Sequence, residues 1–210
     1  MRARTNINSI LRIPIITMFF VFISGCTTIL VSPYDEKLVS DTEAFYKKAA
    51  EVIEEGRIAS PLNDQERENI ENPSMHGGHF SQFEGKYNSL IIDAEALILR
   101  SMASDNKIDS AGQDLQAEIS ELINTTIPSN CKELSNQFAN ASLTTKNYVD
   151  LKCIILEWKD QHADMQLTDN TKILKKANWE GRKMLVFNVV LAIQKTEGFK
   201  RQETEFEEAE

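Results

Sequence analysis

The chain has 210 residues, 23 of them basic and 32 acidic, for a formal charge of −9, and it holds only eight Gly and five Pro. An acidic balance lacks the basic footprint that nucleic acid or a flat anionic lipid surface requires. Few helix breakers among many Ala, Leu, Ile, Glu and Lys lean towards helices, and the length suits one domain with a sizeable core.

The first 25 residues carry Arg2, Arg4 and Arg12 and no acid, and "IPIITMFFVFI" at 13 to 23 is uncharged. A basic flank, a short apolar core and small residues at the exit are the layout of a secretory signal peptide. The exit, Ile23-Ser24-Gly25-Cys26, resembles the lipobox of bacterial lipoproteins, with Ile23 in place of the usual Leu. The resemblance covers residues 1 to 26. It implies cleavage of a 1–25 signal peptide, a diacylglyceryl group on the Cys26 thiol, and acylation of the new amine. Two or more acyl chains anchor stably where one is marginal, at about 0.8 kcal/mol per buried methylene. Enteric bacteria place Asp after the lipidated Cys to retain a lipoprotein at the inner membrane. Thr27 at that position implies the outer membrane, facing the periplasm. Two other readings stay open, a cytoplasmic chain and an uncleaved anchor. Residues 13 to 34 carry no charge, but Pro14, Ser24, Gly25, Thr27 and Thr28 dilute that run, so its best apolar part falls short of a span. Cleavage would leave 20 of the 23 basic residues and all 32 acids, formally −12.

After a tether at 26–31, Ser32-Pro33-Tyr34-Asp35 reads as a helix start, with Ser at the N-cap, Pro at the first helical position and an acid three residues after the cap. A tether that short reaches roughly 20 Å, which places the domain close to the membrane. Leu38, Thr42, Phe45, Ala49 and Val52 form one stripe of a bundle helix, and Gly56 is its expected stop. Residues 57 to 82 hold two Pro and a Gly-Gly pair and form a long loop, with Asn63 and Glu66 able to cap one short helix. A connection of that length is functional or mobile.

A second long helix is expected from Phe83 to Ser104, with Leu90, Ile91, Ala94, Leu97, Ile98 and Met102 inside. A third runs from about Gln113 to Thr126 on Leu115, Ile119, Leu122 and Ile123, before Pro128. A short fourth spans about Asn130 to Asn140. The fifth, capped by Thr144 or Thr145 and reaching Met165, carries the stripe Tyr148, Leu151, Ile155, Trp158 and His162. The last starts near Asp169 and uses Ile173, Ala177, Met184, Phe187 and Leu191; "VFNVVLAI" is apolar nearly all round, which predicts a central helix. The bundle domain then spans 32–197, and the acidic tail 198–210 is expected to fray. The predicted fold is all-α: an antiparallel helical bundle of about five to six helices with one long loop after the first. On "SPYDE" and "FEGKYNSLIIDAEALILRS" the chain is similar to small, functionally uncharacterised lipoproteins with an all-helical periplasmic domain.

Cys131 and Cys153 remain after lipidation. If the turn between the fourth and fifth helices centres on Ser142, each lies 11 residues from it, about 16 Å along an antiparallel pair. A disulfide and two buried thiols are both open, since helix axes pack 8–10 Å apart and a bridge wants Cα atoms within about 7 Å. His76 and His79 in "HGGH" could ligate a metal with Glu84 or His162, but a site needs three or four ligands; a solvated or capping loop is the plainer reading. Met165 and Met184 are expected in the core, and Trp158 and Trp179 in the core or as half-exposed anchors. No G-x-S-x-G, phosphate-cradling loop or zinc-protease helix is present, so no enzyme and no cofactor beyond the lipid on Cys26 are expected. The leading expectation is an interaction or accessory protein of the cell envelope, with the membrane and another envelope protein as partners and no nucleic acid. The alternative is a small-ligand or metal-binding module using the 57–82 loop. An aromatic pocket with His79 inside would favour the second, and an apolar helix face turned outwards the first.

Overall fold

The apolar stripes at spacings of three and four build the long helices of the domain. The computed structural model describes residues 34–104 and 131–207, with side chains through Arg201. Helix α1 spans Glu36–Ala59, α2 Asp64–Glu68, α3 Phe80–Ser104, α4 Cys131–Gln137, α5 Leu143–Ala163 and α6 Lys176–Glu207, with a 3-10 turn at Pro73–Met75. No strand occurs among the described residues, and the protein is an all-α bundle. The signal segment with Cys26, the Ser32-Pro33 pair and the helix expected at 113–126 lie outside the described residues.

Four long helices form a closed ring in which α1 packs on α3 and α6, and α5 on α3 and α6. Side-chain pairs set every neighbour antiparallel. Lys48 with Asp93 (2.7 Å) and Arg100 with Asp35 (2.8 Å) join α1 to α3. Tyr87 with His162 and Ser101 with Thr145 join α3 to α5. Arg182 with the Trp158 carbonyl and Lys200 with Thr144 join α5 to α6. Gln194 with the Val39 carbonyl closes the ring. The α1 stripe Leu38, Thr42, Phe45, Ala49 and Val52 and the α5 stripe from Tyr148 to His162 are buried throughout. The short α4 packs on α5.

Helix α1 begins at Glu36, with Asp35 as N-cap in place of Ser32; the Asp35 carboxylate accepts from Lys37 N at 2.9 Å and Leu38 N at 3.1 Å. It also takes Arg100 Nη2 and Ser104 Oγ. A carboxylate meets all four donors where a hydroxyl could not, and against the opposing effect of burial Arg100, the Leu38 N–H and Ser104 lower its pKa to about 2. Helix α3 starts three residues before Phe83, at Phe80, and α5 is capped by Ser142, which accepts from Thr145 N at 3.2 Å. Thr144 and Thr145 are instead buried in the first turn of α5.

The sequence misplaces α6 most. Asp169, Asn170 and Lys172 have φ of 47°, 62° and 52°, so the chain at 169–172 cannot enter a right-handed helix, and α6 waits until Lys176. Its buried face is Trp179, Arg182, Val186, Val190, Ile193, Glu197 and Lys200. Met184, Phe187 and Leu191, expected inside, face outwards, as does Met165. Three ionic residues occupy the inner face, so ranking positions by apolarity turns the helix the wrong way round. Helix α6 also runs on to Glu207 through the expected fraying point, held at Lys200, whose Nζ reaches Glu197 (2.5 Å) and Thr144 (2.8 Å).

Gly56 does not stop α1. A Cβ there would stand 2.3 Å from the Trp179 ring, and α1 continues to Ala59. The glycine is a seat for the indole, whose Nε1 donates to Ser60 Oγ at 2.7 Å. Gly85, on the exposed side of α3, meets nothing within 4 Å. Alanine helps a helix by about 1 kcal/mol over glycine, while overpacking a core costs roughly 1–3 kcal/mol. Urea unfolding should therefore show Gly85→Ala stabilised and Gly56→Ala destabilised; a stabilised Gly56→Ala would mean that the indole is not seated there.

Candidate functional site

The densest polar and aromatic grouping lies at the end of the bundle where α1 and α5 finish and α3 and α6 begin. Arg182 is 4% exposed, and Tyr87 and His162 are fully buried. Arg182 Nη1 donates to Tyr87 Oη at 2.6 Å and Nη2 to the Trp158 carbonyl at 2.8 Å. The guanidinium carbon lies 4.9 Å from the Trp179 ring centre and 5.5 Å from that of Trp158, within cation–π range.

His162 completes the chain of bonds. Its Nε2 lies 3.1 Å from the Gly78 carbonyl, and its Nδ1 lies 2.9 Å from Tyr87 Oη. A carbonyl only accepts, so Nε2 carries the hydrogen and the neutral ring accepts at Nδ1 from the Tyr87 hydroxyl. The order is fixed: Arg182 donates to Tyr87, Tyr87 to His162, and His162 to Gly78. Burial, then the Arg182 charge, depress the His162 pKa to about 3. Burial raises Tyr87 to about 12 against the pull of Arg182. Phe83, tilted, and Trp179, edge-to-face, pack around the imidazole with centroids 5.5 Å away. The polar atoms of the chain are spent on one another behind aromatic walls, so this knot fixes structure and presents no acid, base or nucleophile to a substrate.

The knot also organises the long loop. The Gly78 carbonyl is tied to His162, Phe80 N donates to the Lys172 carbonyl (2.9 Å), and Lys176 N to that of Pro61 (2.9 Å). Arg67, 3% exposed, reaches Asp64 and Asp169. Asn63 caps α2 by accepting from Glu66 N at 2.9 Å, as its sequence indicates, and Glu66 accepts from Leu62 N at 2.7 Å. What reads as a long irregular connection is bonded at several points to α5, α6 and the turn between them.

The sequence-derived candidates are distributed as follows. His76 Nδ1 accepts from Gly78 N at 3.0 Å, and His79 Nδ1 accepts from Ser81 N at 3.2 Å. Both rings thus shape the entry into α3, and His162 faces Tyr87 and Gly78. Among the described residues no three His, Cys, Asp or Glu side chains gather as a metal-holding group. Cys131 and Cys153 are free, partly buried thiols on the packed pair α4 and α5, near enough for Cys131 to act on the Cys153 thiol. Of the two placements expected for Trp158 and Trp179, core and half-exposed, both residues take the core.

The outward face of α6 is the other feature of note. Met184 is 68% exposed, Phe187 49%, Leu191 38% and Phe199 69%. A groove of about 300 Å³ between α5 and α6 runs past Trp158, Gln161 and Gly181 to Leu185 on the edge of this face. Comparison with protein-family models, curated proteins and solved structures gives no match to the chain.

The depressed His162 pKa fixes a pH dependence. Between pH 6.5 and about 3 the unfolded chain holds a proton on this imidazole that the folded chain excludes. Its contribution is complete above 6.5 and is lost as pH falls. The difference in unfolding free energy between wild type and His162→Gln should shrink by about 1.4 kcal/mol per pH unit from 6.5 down to 4.5. Parallel pH curves for the two proteins would show that His162 titrates normally.

Proposed function

We propose that the chain is a lipid-tethered interaction protein of the bacterial cell envelope. It is cleaved before Cys26, acylated there, held at the periplasmic face of the outer membrane, and docks another envelope protein against the outer face of α6. The observation that carries the reading is the orientation of α6. Its charged residues Arg182, Glu197 and Lys200 are buried, while Met184, Phe187, Leu191 and Phe199 are left to solvent. Exposed apolar side chains grouped on one face mark a protein contact more often than chance exposure, and aromatic and Met side chains are enriched at such contacts. The 57–82 loop supports the same reading, because its histidines and the Gly78 carbonyl are engaged in holding the loop itself. Among the described residues no helix is long and apolar enough to cross a membrane; the acyl chains on Cys26 supply the attachment.

Two measurements test the parts separately. Cys26→Ser should abolish labelling by a palmitate analogue, and undiminished labelling would remove the lipid anchor from the reading. A photocrosslinking residue at Met184 or Phe187 should give one discrete adduct in living cells, lost when Leu191→Glu is added. That charge on an exposed site should shift stability by no more than about 0.5 kcal/mol. An adduct that survives Leu191→Glu, or that forms equally from the exposed α3 face at Ile92, would exclude the α6 face as the contact.

A further inference from the structure

Cys131 is the first residue of α4, and Cys153 lies midway along α5. The turn ending at Ser142 folds the two helices side by side. The two helices are in contact, Cys131 is near enough to act on the Cys153 thiol, and both residues are partly exposed. We propose that Cys131 and Cys153 form a thiol–disulfide modification site, joined into an intramolecular bridge by exchange with a disulfide oxidant. Two features favour the bond over a static thiol pair. Cys131 belongs to a seven-residue helix with one buried residue, Leu134, so a small shift of that helix can close the gap between helix axes and disulfide geometry. Neither residue is fully buried, which gives the oxidant access.

The order of attack follows from the surroundings. Cys153 is packed against the hydrophobic core and burial raises its thiol pKa, so Cys131, which lies outside that packing, is the first nucleophile. Its thiolate attacks one sulfur of the oxidant, expels the other as a thiolate, and forms a mixed disulfide. Cys153 loses its proton to solvent, attacks the Cys131 sulfur and displaces the second oxidant thiol. Two protein thiols have lost two electrons and two protons, and one oxidant disulfide has become two thiols. The bridge fastens α4 to α5, and removing it should lower the melting temperature by roughly 5–10 °C. The chemistry requires a disulfide oxidant and an oxidising poise, and it does not depend on the lipid anchor.

The test uses the full chain carrying Cys26→Ser, purified in detergent, so that Cys131 and Cys153 are its only thiols, with glutathione disulfide as the oxidant. The expected product has lost the mass of two hydrogens, retains no glutathione, yields a Cys131–Cys153 linked peptide, and melts lower after reduction. With Cys153→Ser added, one glutathione should stay on Cys131, because no resolving thiol remains. Two retained glutathiones, two thiols still titratable, or disulfide-linked dimers would each overturn the proposal. The same thiol count on protein from cells, with and without residues 1–25, tests the export reading separately.

Discussion

The fold turns on a buried cation that has no carboxylate in ion-pair contact among the described residues. Arg182 is almost fully buried, and burial holds its pKa below the usual arginine value; the group stays charged all the same. Desolvating a charge is expensive unless its donors are met, and here a phenol, a carbonyl and two indole faces meet them. The rest of that end of the bundle follows. Tyr87 must present its oxygen lone pair to Arg182 and so turns its hydrogen to His162. His162 must then be neutral and present Nε2–H to Gly78, which anchors the loop. Trp179 covers the guanidinium, and Gly56 must lack a side chain to let the indole in.

The opposite end is organised by charge as well, with different partners. Asp35 caps α1 and gathers Arg100 and Ser104, so one carboxylate joins the start of α1 to the end of α3. Glu197 and Lys200 form a buried pair, and one Glu197 oxygen is left without a hydrogen-bond partner. Burial accordingly raises the Glu197 pKa above its ordinary value. These polar contacts hold α6 with its ionic residues inwards, which leaves its Met, Leu and Phe side chains outwards. The outer apolar face is thus a consequence of how the interior is built, and it is the surface on which a partner contact is proposed.

Much of this was legible in the sequence, and the failures share one physical cause. The α1 and α5 stripes, the α2 cap at Asn63 and the turn at Ser142 follow from periodicity and capping chemistry, which are local. Periodicity ranks positions by apolarity, and it mistook Met184, Phe187 and Leu191 for the inner face of α6 because Arg182, Glu197 and Lys200 hold that face. The one available hint was the spacing of Trp179, Arg182, Val186 and Val190 by three, four and four, a helical stripe with a charge inside it. Gly56 read as a stop because a glycine near a helix end usually is one, and its role depends on a tryptophan 123 residues later. The knot joins residues from three helices and a loop, so its members carried no motif. The same holds for the loop itself, whose anchors at Arg67 and Gly78 bond to residues about 100 and 84 positions away.

The most direct measurement is the unfolding free energy of Arg182→Lys by urea titration. Lysine keeps the charge and most of the stem but lacks the planar fork that reaches Tyr87 and Trp158 together and stacks on the indoles. If Arg182 organises this end of the bundle, the substitution should cost about 2–4 kcal/mol, the range for breaking charged, buried hydrogen bonds. A change within about 0.5 kcal/mol, the level of an ordinary surface substitution, would contradict it.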